Sequence, residues 1–168
     1  VPGAIHTNYG KDGWREKNSG GIIGMIPSST KLAKLFGGLG IGNNDHIVLL
    51  PPGNSSSDMG IGTRIYWTFM VMGHDAVSIL NGGMKAYKKS KATLEKGKVK
   101  LASKTFTPHW RNDMIVSRAD VKKALEAGVP LIDCRTYDLY VGLYPFSYSH
   151  LTLPTFLLFF FSFFSLSF

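Results

Sequence analysis

The sequence predicts an α/β fold in which helices flank a parallel sheet. Two short apolar runs, IVLL at residues 47–50 and AVSIL at 76–80, have the length and composition of buried strands. Stretches with helical signals precede the first run and separate it from the second. This order of helix, strand, helix and strand is typical of a parallel sheet whose connections are helical.

Two helices are predicted around the first strand. In SSTKLAKLFGG, residues 28–38, any of Ser28, Ser29 or Thr30 can provide the N-cap, and a pair of glycines ends the helix. TRIYWTFMVMG, residues 63–73, is apolar almost all round, as in a buried helix that stops at a glycine.

A polar Gly/Ser loop is predicted over residues 53–62, between the first strand and the second helix. The core of this part of the chain is predicted from the apolar positions of the two strands and the second helix. These positions are Ile47, Val48, Leu49, Leu50, Ile65, Phe69, Val77, Ile79 and Leu80.

The charge of the chain is concentrated in one segment. The formal net charge is +8, and eight lysines against one acid, Glu95, lie between Lys85 and Lys104. Like charges repel one another, so a solvated basic linker is predicted over residues 88–114. The run lacks arginine and interleaved aromatic residues, so a nucleic-acid partner is not expected.

Cysteine and histidine usage excludes several kinds of site. Cys134 is the only cysteine, which rules out an intramolecular disulfide and indicates a reducing compartment, cytoplasmic or mitochondrial. The histidines have no ligand spacing, so neither a metal site nor another cofactor is expected. The chain starts with VPGAIH, without an initiator Met or a signal-peptide pattern, which suggests that it was cut from a longer protein.

A second α/β unit is predicted to open near residue 115. Ser117 has the position of an N-cap, Asp120 has capping-box spacing and Gly128 is a stop signal. VPLID, residues 129–133, then has the pattern of a strand.

The C-terminal tail, residues 143–168, is of a different kind. It contains no Asp, Glu, Lys or Arg and holds eight of the eleven phenylalanines. Residues 151–168 reach the lower length limit of a membrane span, which leaves a membrane-anchored fragment as an alternative. Pro154, several serines and the lack of flanking Lys or Arg argue against a span.

Residues 45–87, DHIVLLPPGNSSSDMGIGTRIYWTFMVMGHDAVSILNGGMKAY, resemble the non-catalytic first domain of the tandem rhodanese sulfurtransferases. This family comprises the thiosulfate and 3-mercaptopyruvate sulfurtransferases. VPGAIHTNY at the N-terminus resembles the segment that follows the family's first strand, and that strand is absent here. Tyr87 stands in place of a common Trp.

Residues 116–142, VSRADVKKALEAGVPLIDCRTYDLYVG, resemble the opening of the family's second, catalytic domain. Asp133 and Arg135 match the family's Asp-x-Arg, which the resemblance implies to be a structural pair. The family's substrate-binding arginine falls on Leu139, and the resemblance ends after Gly142.

Together these features predict a rhodanese-like parallel sheet flanked by helices, with its first strand missing and a second rhodanese domain only begun. The predicted domains are a truncated, non-catalytic domain 1 at residues 1–87, the basic linker at 88–114, the opening of domain 2 at 115–142 and a non-homologous Phe-rich tail at 143–168.

The resemblance implies sulfurtransferase chemistry, the transfer of sulfane sulfur from thiosulfate or 3-mercaptopyruvate to a thiophilic acceptor. The family's nucleophile is a cysteine in the loop after the strand, where this chain has Pro51 and Pro52. Serines 55–57 cannot replace it, because persulfide chemistry needs sulfur. We therefore expect no catalytic residue and an inactive chain, whose partner is a second rhodanese domain in the parent protein.

Three further residues are weaker candidates. Arg64 and Arg135 are possible substrate-binding residues, although Arg64 better fits a salt bridge at a domain interface. Cys134 lies in a predicted strand, where a lone cysteine is more typical of packing than of reactivity. The alternative function is a non-enzymatic, rhodanese-like binding or scaffold module.

Overall fold

The computed structural model describes residues 1–133 and 137–141, excluding the side chains of residues 138 and 139. The chain divides into a first unit, Val1–Trp110, and a second that starts at Arg111. The first unit contains, in chain order, β1 (Glu16–Lys17), β2 (Ile23–Met25), α1 (Ser29–Gly38), β3 (Ile47–Leu49), α2 (Ser56–Val71), β4 (Val77–Ile79) and α3 (Gly83–Lys89).

The central feature of the first unit is a strand–helix–strand motif. β3 and β4 pair in parallel, with Ile47 opposite Val77 and Leu49 opposite Ile79. The helix α2 connects them, as parallel pairing requires of a crossover. The predicted parallel α/β arrangement is confirmed.

A small antiparallel hairpin, β1–β2, precedes this motif and was not predicted. Glu16 pairs with Met25, and a register irregularity follows at Lys17. The strands have two and three residues, which is too short for a pattern of alternation to be visible in the sequence.

The helix α1 is as predicted, with Ser28 as its N-cap. In contrast, α2 begins at Ser56, inside the predicted polar loop, and not at Thr63. The cause is a capping box: the Ser55 hydroxyl accepts from the Asp58 N–H at 3.2 Å, and the Asp58 carboxylate accepts from the Ser55 N–H at 3.2 Å. These bonds start the helix early despite its glycines.

An aromatic cluster forms the core of the first unit. Phe36 of α1 stacks on Phe69 of α2 with ring centroids 4.3 Å apart, and Phe106 meets Phe36 edge-on at 4.9 Å. Trp14 closes the cluster at 5.6 Å from Phe36. Such pairs add to the stability gained from burying their area.

The predicted core is correct at Ile65, Phe69 and Val77, which are buried. Three strand residues and the residue after each strand are only half-buried: Ile47, Leu49, Ile79, Leu50 and Leu80. Val48 is 49% exposed, so its predicted burial is wrong. The prediction assumed a sheet covered on both faces. The sheet described here has only two strands and leaves Val48 exposed.

Much of the predicted linker, up to Trp110, is part of the first unit and packs within it. The Lys104 N–H donates to the Gly37 carbonyl at 3.0 Å, the His109 N–H donates to Met72 at 3.0 Å, and Phe106 is buried. Residues 93–105 are exposed, as expected of a solvated linker.

The described part of the second unit is helical. It contains a 3₁₀ turn at Asn112–Met114, then α4 (Arg118–Glu126) and α5 (Tyr137–Tyr140). The capping box of Ser117 and Asp120 is confirmed, and Gly128 takes the left-handed conformation, φ 73°, that ends α4.

The predicted strand VPLID is wrong for this structure, because residues 129–133 are irregular. A strand needs a neighbour to complete its hydrogen bonds, and no strand is described in the second unit. Cys134, Arg135 and the tail at 143–168 lie outside the described residues.

Candidate functional site

The candidate site is the loop that leads from β3 into α2, residues 51–55. The Pro51 carbonyl accepts from the Met84 N–H at 2.8 Å, and the Pro52 carbonyl accepts from the Lys85 N–H at 3.1 Å. Gly53 lies at φ 80° against the carbonyl of Gly82, where a Cβ would clash. The first turn of α3 therefore holds this loop in place.

The N–H groups of the loop have little capacity to bind an anion. Pro51 and Pro52 have no N–H group. The N–H groups of Asn54 and Ser55 both donate to one oxygen of the Asp58 carboxylate, at 2.9 and 3.2 Å. The N–H groups of Asn54 and Ser55 at the start of α2 are thus already bonded to a carboxylate of the protein itself.

The serines of the loop are structural. The Ser55 hydroxyl caps α2, and Ser56 and Ser57 are exposed in its first turn. The loop therefore has neither a nucleophilic side chain nor a sulfur atom at the position where the resemblance places the family's cysteine.

Arg64, predicted as a weak substrate contact, lies partly buried between α2 and the hairpin. Its Nη2 donates to the Gly24 carbonyl at 3.1 Å, and its guanidinium lies 4.3 Å from the ring centre of Trp67. Burial lowers the pKa of the Arg64 guanidinium, and Tyr9 partly offsets this effect. These contacts fasten the hairpin to α2.

A buried histidine was not recognised as a core residue in the sequence. His74 follows α2 in the turn before β4. Its ring is 3% exposed and lies 5.5 Å from Phe69 and 5.8 Å from Phe106, measured between ring centroids. Nothing in the residues around it distinguishes this burial from an exposed turn position.

An ion pair joins the end of the linker to the turn before β3. The Lys104 ammonium contacts the Asp45 carboxylate at 2.7 Å. The hydrogen bond from Lys104 and one from the Gly42 N–H lower the pKa of Asp45. Next to this pair, the side-chain amide of Asn43 donates to the Thr107 carbonyl at 2.7 Å and its oxygen accepts from the Thr107 N–H at 2.8 Å.

A cleft of about 950 Å³ lies beside β3 within the first unit. Its walls come from the N-terminal segment, the turn before β3, the strand itself and the first half of α2. The candidate loop contributes Pro51 and Pro52 at one end, and Asp58 also reaches the cleft.

Residues 1–133 and 137–141 contain neither a metal-binding cluster nor a membrane-spanning helix. No group of His, Cys, Asp or Glu side chains there could hold a metal ion. No helix there is long and apolar enough to cross a membrane.

Comparison with known proteins finds sulfurtransferases among the relatives of this chain. Human 3-mercaptopyruvate sulfurtransferase is 30% identical over 124 residues, which cover 72% of this chain and 40% of that protein. This chain is a homologue of the rhodanese-type sulfurtransferases. The bovine thiosulfate sulfurtransferase is 29% identical over 124 residues with the same coverage. The chain therefore spans about 40% of the length of these curated sulfurtransferases.

Solved structures show the rhodanese fold. The chain superimposes on SseA from Escherichia coli, a 3-mercaptopyruvate sulfotransferase, with a TM-score of 0.72 and 24% identity over 84% of this chain and 52% of that one. For the Tum1 protein of Saccharomyces cerevisiae the TM-score is 0.64, over 89% of this chain and 50% of that one. No family model matches the chain.

Proposed function

We propose that this chain is a catalytically silent part of a sulfurtransferase. The observation that carries the proposal is the loop after β3, which has prolines where the family has its cysteine and in which the N–H groups of Asn54 and Ser55 are bonded to Asp58. The relatives named for 3-mercaptopyruvate and thiosulfate indicate the chemistry of the parent protein.

Sulfur transfer makes two demands that this loop does not meet. A thiolate must attack the outer sulfur of thiosulfate, forming a persulfide and releasing sulfite. An acceptor such as cyanide must then take that sulfur, giving thiocyanate and restoring the thiolate. The first step needs a sulfur nucleophile, the second needs the persulfide formed on it, and the persulfide anion needs N–H donors around it.

The first unit then has a supporting role in the parent protein. A second rhodanese domain is its partner and supplies the cysteine, and the sulfur donor is thiosulfate or 3-mercaptopyruvate. A reducing compartment, cytoplasmic or mitochondrial, fits the single cysteine of the sequence.

The experiment is a thiocyanate assay on the full chain, with thiosulfate as donor and cyanide as acceptor. We expect no thiocyanate above the buffer rate, and no difference between the chain and its Cys134→Ser variant. Turnover that persists through purification and disappears in Cys134→Ser would contradict the proposal and make Cys134 the nucleophile.

A non-enzymatic binding module is the second candidate, and the open cleft beside β3 favours it. The two candidates differ in the coding sequence expected beyond residue 142 in the parent gene. A downstream cysteine loop would support the sulfurtransferase, and a coding region without one would support the binding module.

A further inference from the structure

Residues 94–100, LEKGKVK, form an open loop in the first unit. Every residue of this loop is exposed, and none lies in a helix or strand. Within residues 1–133 and 137–141, none of the backbone hydrogen bonds involves the loop. At Gly97, φ is 113° and an added Cβ would have no atom within 4 Å. The backbone of the loop is therefore accessible to another protein along its length.

Three lysines alternate along this loop: Lys96, Lys98 and Lys100. Exposed loops without hydrogen bonds are preferred sites of proteolytic cleavage, because an endopeptidase must bind its substrate as an extended segment. A carboxylate in the specificity pocket of the endopeptidase selects a lysine side chain. The other lysines of the first unit lie in helices, in β1 or in turns, apart from Lys104, whose N–H is bonded to Gly37. The loop is therefore the part of the first unit best suited to a lysine-directed endopeptidase.

The segment that follows the loop, residues 101–110, crosses the first unit as a strap. The Lys104 N–H donates to the Gly37 carbonyl of α1 at 3.0 Å, and the His109 N–H donates to the Met72 carbonyl at the end of α2 at 3.0 Å. Three glycines allow this close approach, because a Cβ on any of them would clash with the strap: Gly37, Gly40 and Gly73. The backbone of the strap is thus bound to both helices.

Side chains hold the middle of the strap. Phe106 is 5% exposed and meets Phe36 of α1 edge-on, with ring centroids 4.9 Å apart. The Asn43 side chain makes two hydrogen bonds with the Thr107 backbone, at 2.7 and 2.8 Å. None of these contacts runs through residues 94–100, so a break in the loop leaves all of them in place.

We propose that the loop of residues 94–100 is a processing site for a lysine-directed endopeptidase, and that the strap stays bound to the first unit after the cut. Hydrolysis adds one water molecule across the peptide bond that follows Lys96, Lys98 or Lys100. It leaves a carboxylate on that lysine and an amine on the next residue. The product is a two-chain protein whose halves are joined by the contacts of the strap. This site is independent of the proposed catalytic silence, because it shares no residue with the loop after β3.

The first test is limited digestion of the full chain, in a non-ionic detergent, with a trace of a lysine-specific endopeptidase. Intact mass spectrometry locates each cut. Within residues 1–110, we expect the first cut to follow one of the three lysines of the loop. A first cut elsewhere within residues 1–110 would overturn the proposal.

Two matched variants separate the site from its charge. The loop variant carries Lys96→Gln, Lys98→Gln and Lys100→Gln. Its residues 1–110 should be cut at least about tenfold more slowly, because cuts elsewhere require local unfolding. The control variant loses the same charge from exposed positions of α3, through Lys85→Gln, Lys88→Gln and Lys89→Gln, and should be cut at the rate of the unaltered chain. Equal rates for the loop variant and the unaltered chain would overturn the proposal.

The second test asks whether the cut protein stays assembled. We expect the N-terminal fragment to co-elute with the fragment that carries the strap in size-exclusion chromatography, with an unchanged circular dichroism spectrum. Phe106→Ala should release the N-terminal fragment after the cut. Asn43→Ala, which removes both hydrogen bonds to Thr107 at an exposed position, is the second variant in case Phe106→Ala does not fold. Separation of the fragments of the unaltered chain, or retention that neither substitution weakens, would overturn the proposal.

Discussion

At the scale of residues, the proposed catalytic silence rests on more than the absence of a cysteine from the loop after β3. Pro51 and Pro52 remove a nucleophile and two N–H donors together, and Asp58 binds the N–H groups of Asn54 and Ser55. The carbonyls of both prolines are held by the first turn of α3. A thiol introduced here would therefore lack the environment that lowers its pKa and binds its persulfide.

This arrangement predicts that Pro52→Cys alone does not create a sulfurtransferase. The thiol would be present but the N–H cradle would stay filled by Asp58. Adding Asp58→Ala frees both N–H groups, so the double variant should retain more thiosulfate-derived sulfur than either single variant. Persulfide labelling followed by mass spectrometry measures this, and steady thiocyanate formation by Pro52→Cys alone would refute the role given to Asp58.

The pair of Asp45 and Lys104 predicts a dependence on pH. The folded state lowers the pKa of Asp45, chiefly through Lys104. Its contribution to stability is therefore present above the unfolded pKa, about 3.9, and is lost as pH falls through the lower folded value. The stability difference between the chain and Asp45→Asn should be constant near neutrality and shrink below about pH 4.

Urea unfolding at several pH values, followed by tryptophan fluorescence, measures this difference. Lys104→Met should lose the same pH-dependent component, whereas Lys98→Met, at an exposed position of the same lysine run, should keep it. A difference that grows towards acid pH would contradict the sign.

The sequence shows which residues form the loop of the candidate site, but it does not show which hydrogen bonds they make. Pro51 and Pro52 can be recognised in the sequence because they stand where the rhodanese family has its cysteine. The hydrogen bond from the Asn54 N–H to Asp58 depends on where α2 starts. The glycines and serines around this point do not fix the start of the helix in the sequence. The burial of His74 depends on Phe106, 32 positions later in a lysine-rich segment, and local patterns do not carry such contacts.

At the scale of elements, local hydrogen bonds decide where helices start. The capping box of Ser55 and Asp58 starts α2, which carries the buried Phe69 into the core. Ser55→Ala should lower the free energy of unfolding by about 1 kcal/mol. Ser57→Ala, a neighbouring exposed position, is the matched control and should change it by less than about 0.5 kcal/mol. Equal losses in urea unfolding would show that the cap is not what stabilises α2.

Helices and strands whose start and stop signals lie in their own sequence were predictable. Those that depend on contacts with residues far away in the chain were not. The helices α1 and α4 have caps and stops in their own sequence, and β3 and β4 are apolar runs joined by a helix. Residues 129–133 have the pattern of a strand but are irregular in the structure. The hairpin β1–β2 depends on the contacts of its residues with α2, including the bond from Arg64 to Gly24.

At the scale of the whole molecule, the tail is the part least compatible with a rhodanese-type unit. Residues 143–168 hold eight phenylalanines and no Asp, Glu, Lys or Arg. Exposed apolar patches of that size promote association, and burial of each ring is worth about 2–3 kcal/mol. The tail is therefore predicted to drive aggregation or micelle binding without stabilising the fold.

A chain that ends at Gly142 tests this prediction. It should be more soluble than the full chain, with a thermal midpoint no lower, as measured by light scattering and circular dichroism in the same detergent. If the deletion unfolds the first unit, the tail packs into the domain and the interpretation of it as non-homologous sequence is wrong.

Intact mass spectrometry after incubation with thiosulfate or with 3-mercaptopyruvate tests most directly whether this chain carries sulfane sulfur. We expect an unchanged mass with either donor, because the loop of Pro51 and Pro52 offers no thiol. Stoichiometric addition of one sulfur atom, abolished by Cys134→Ser, would contradict it.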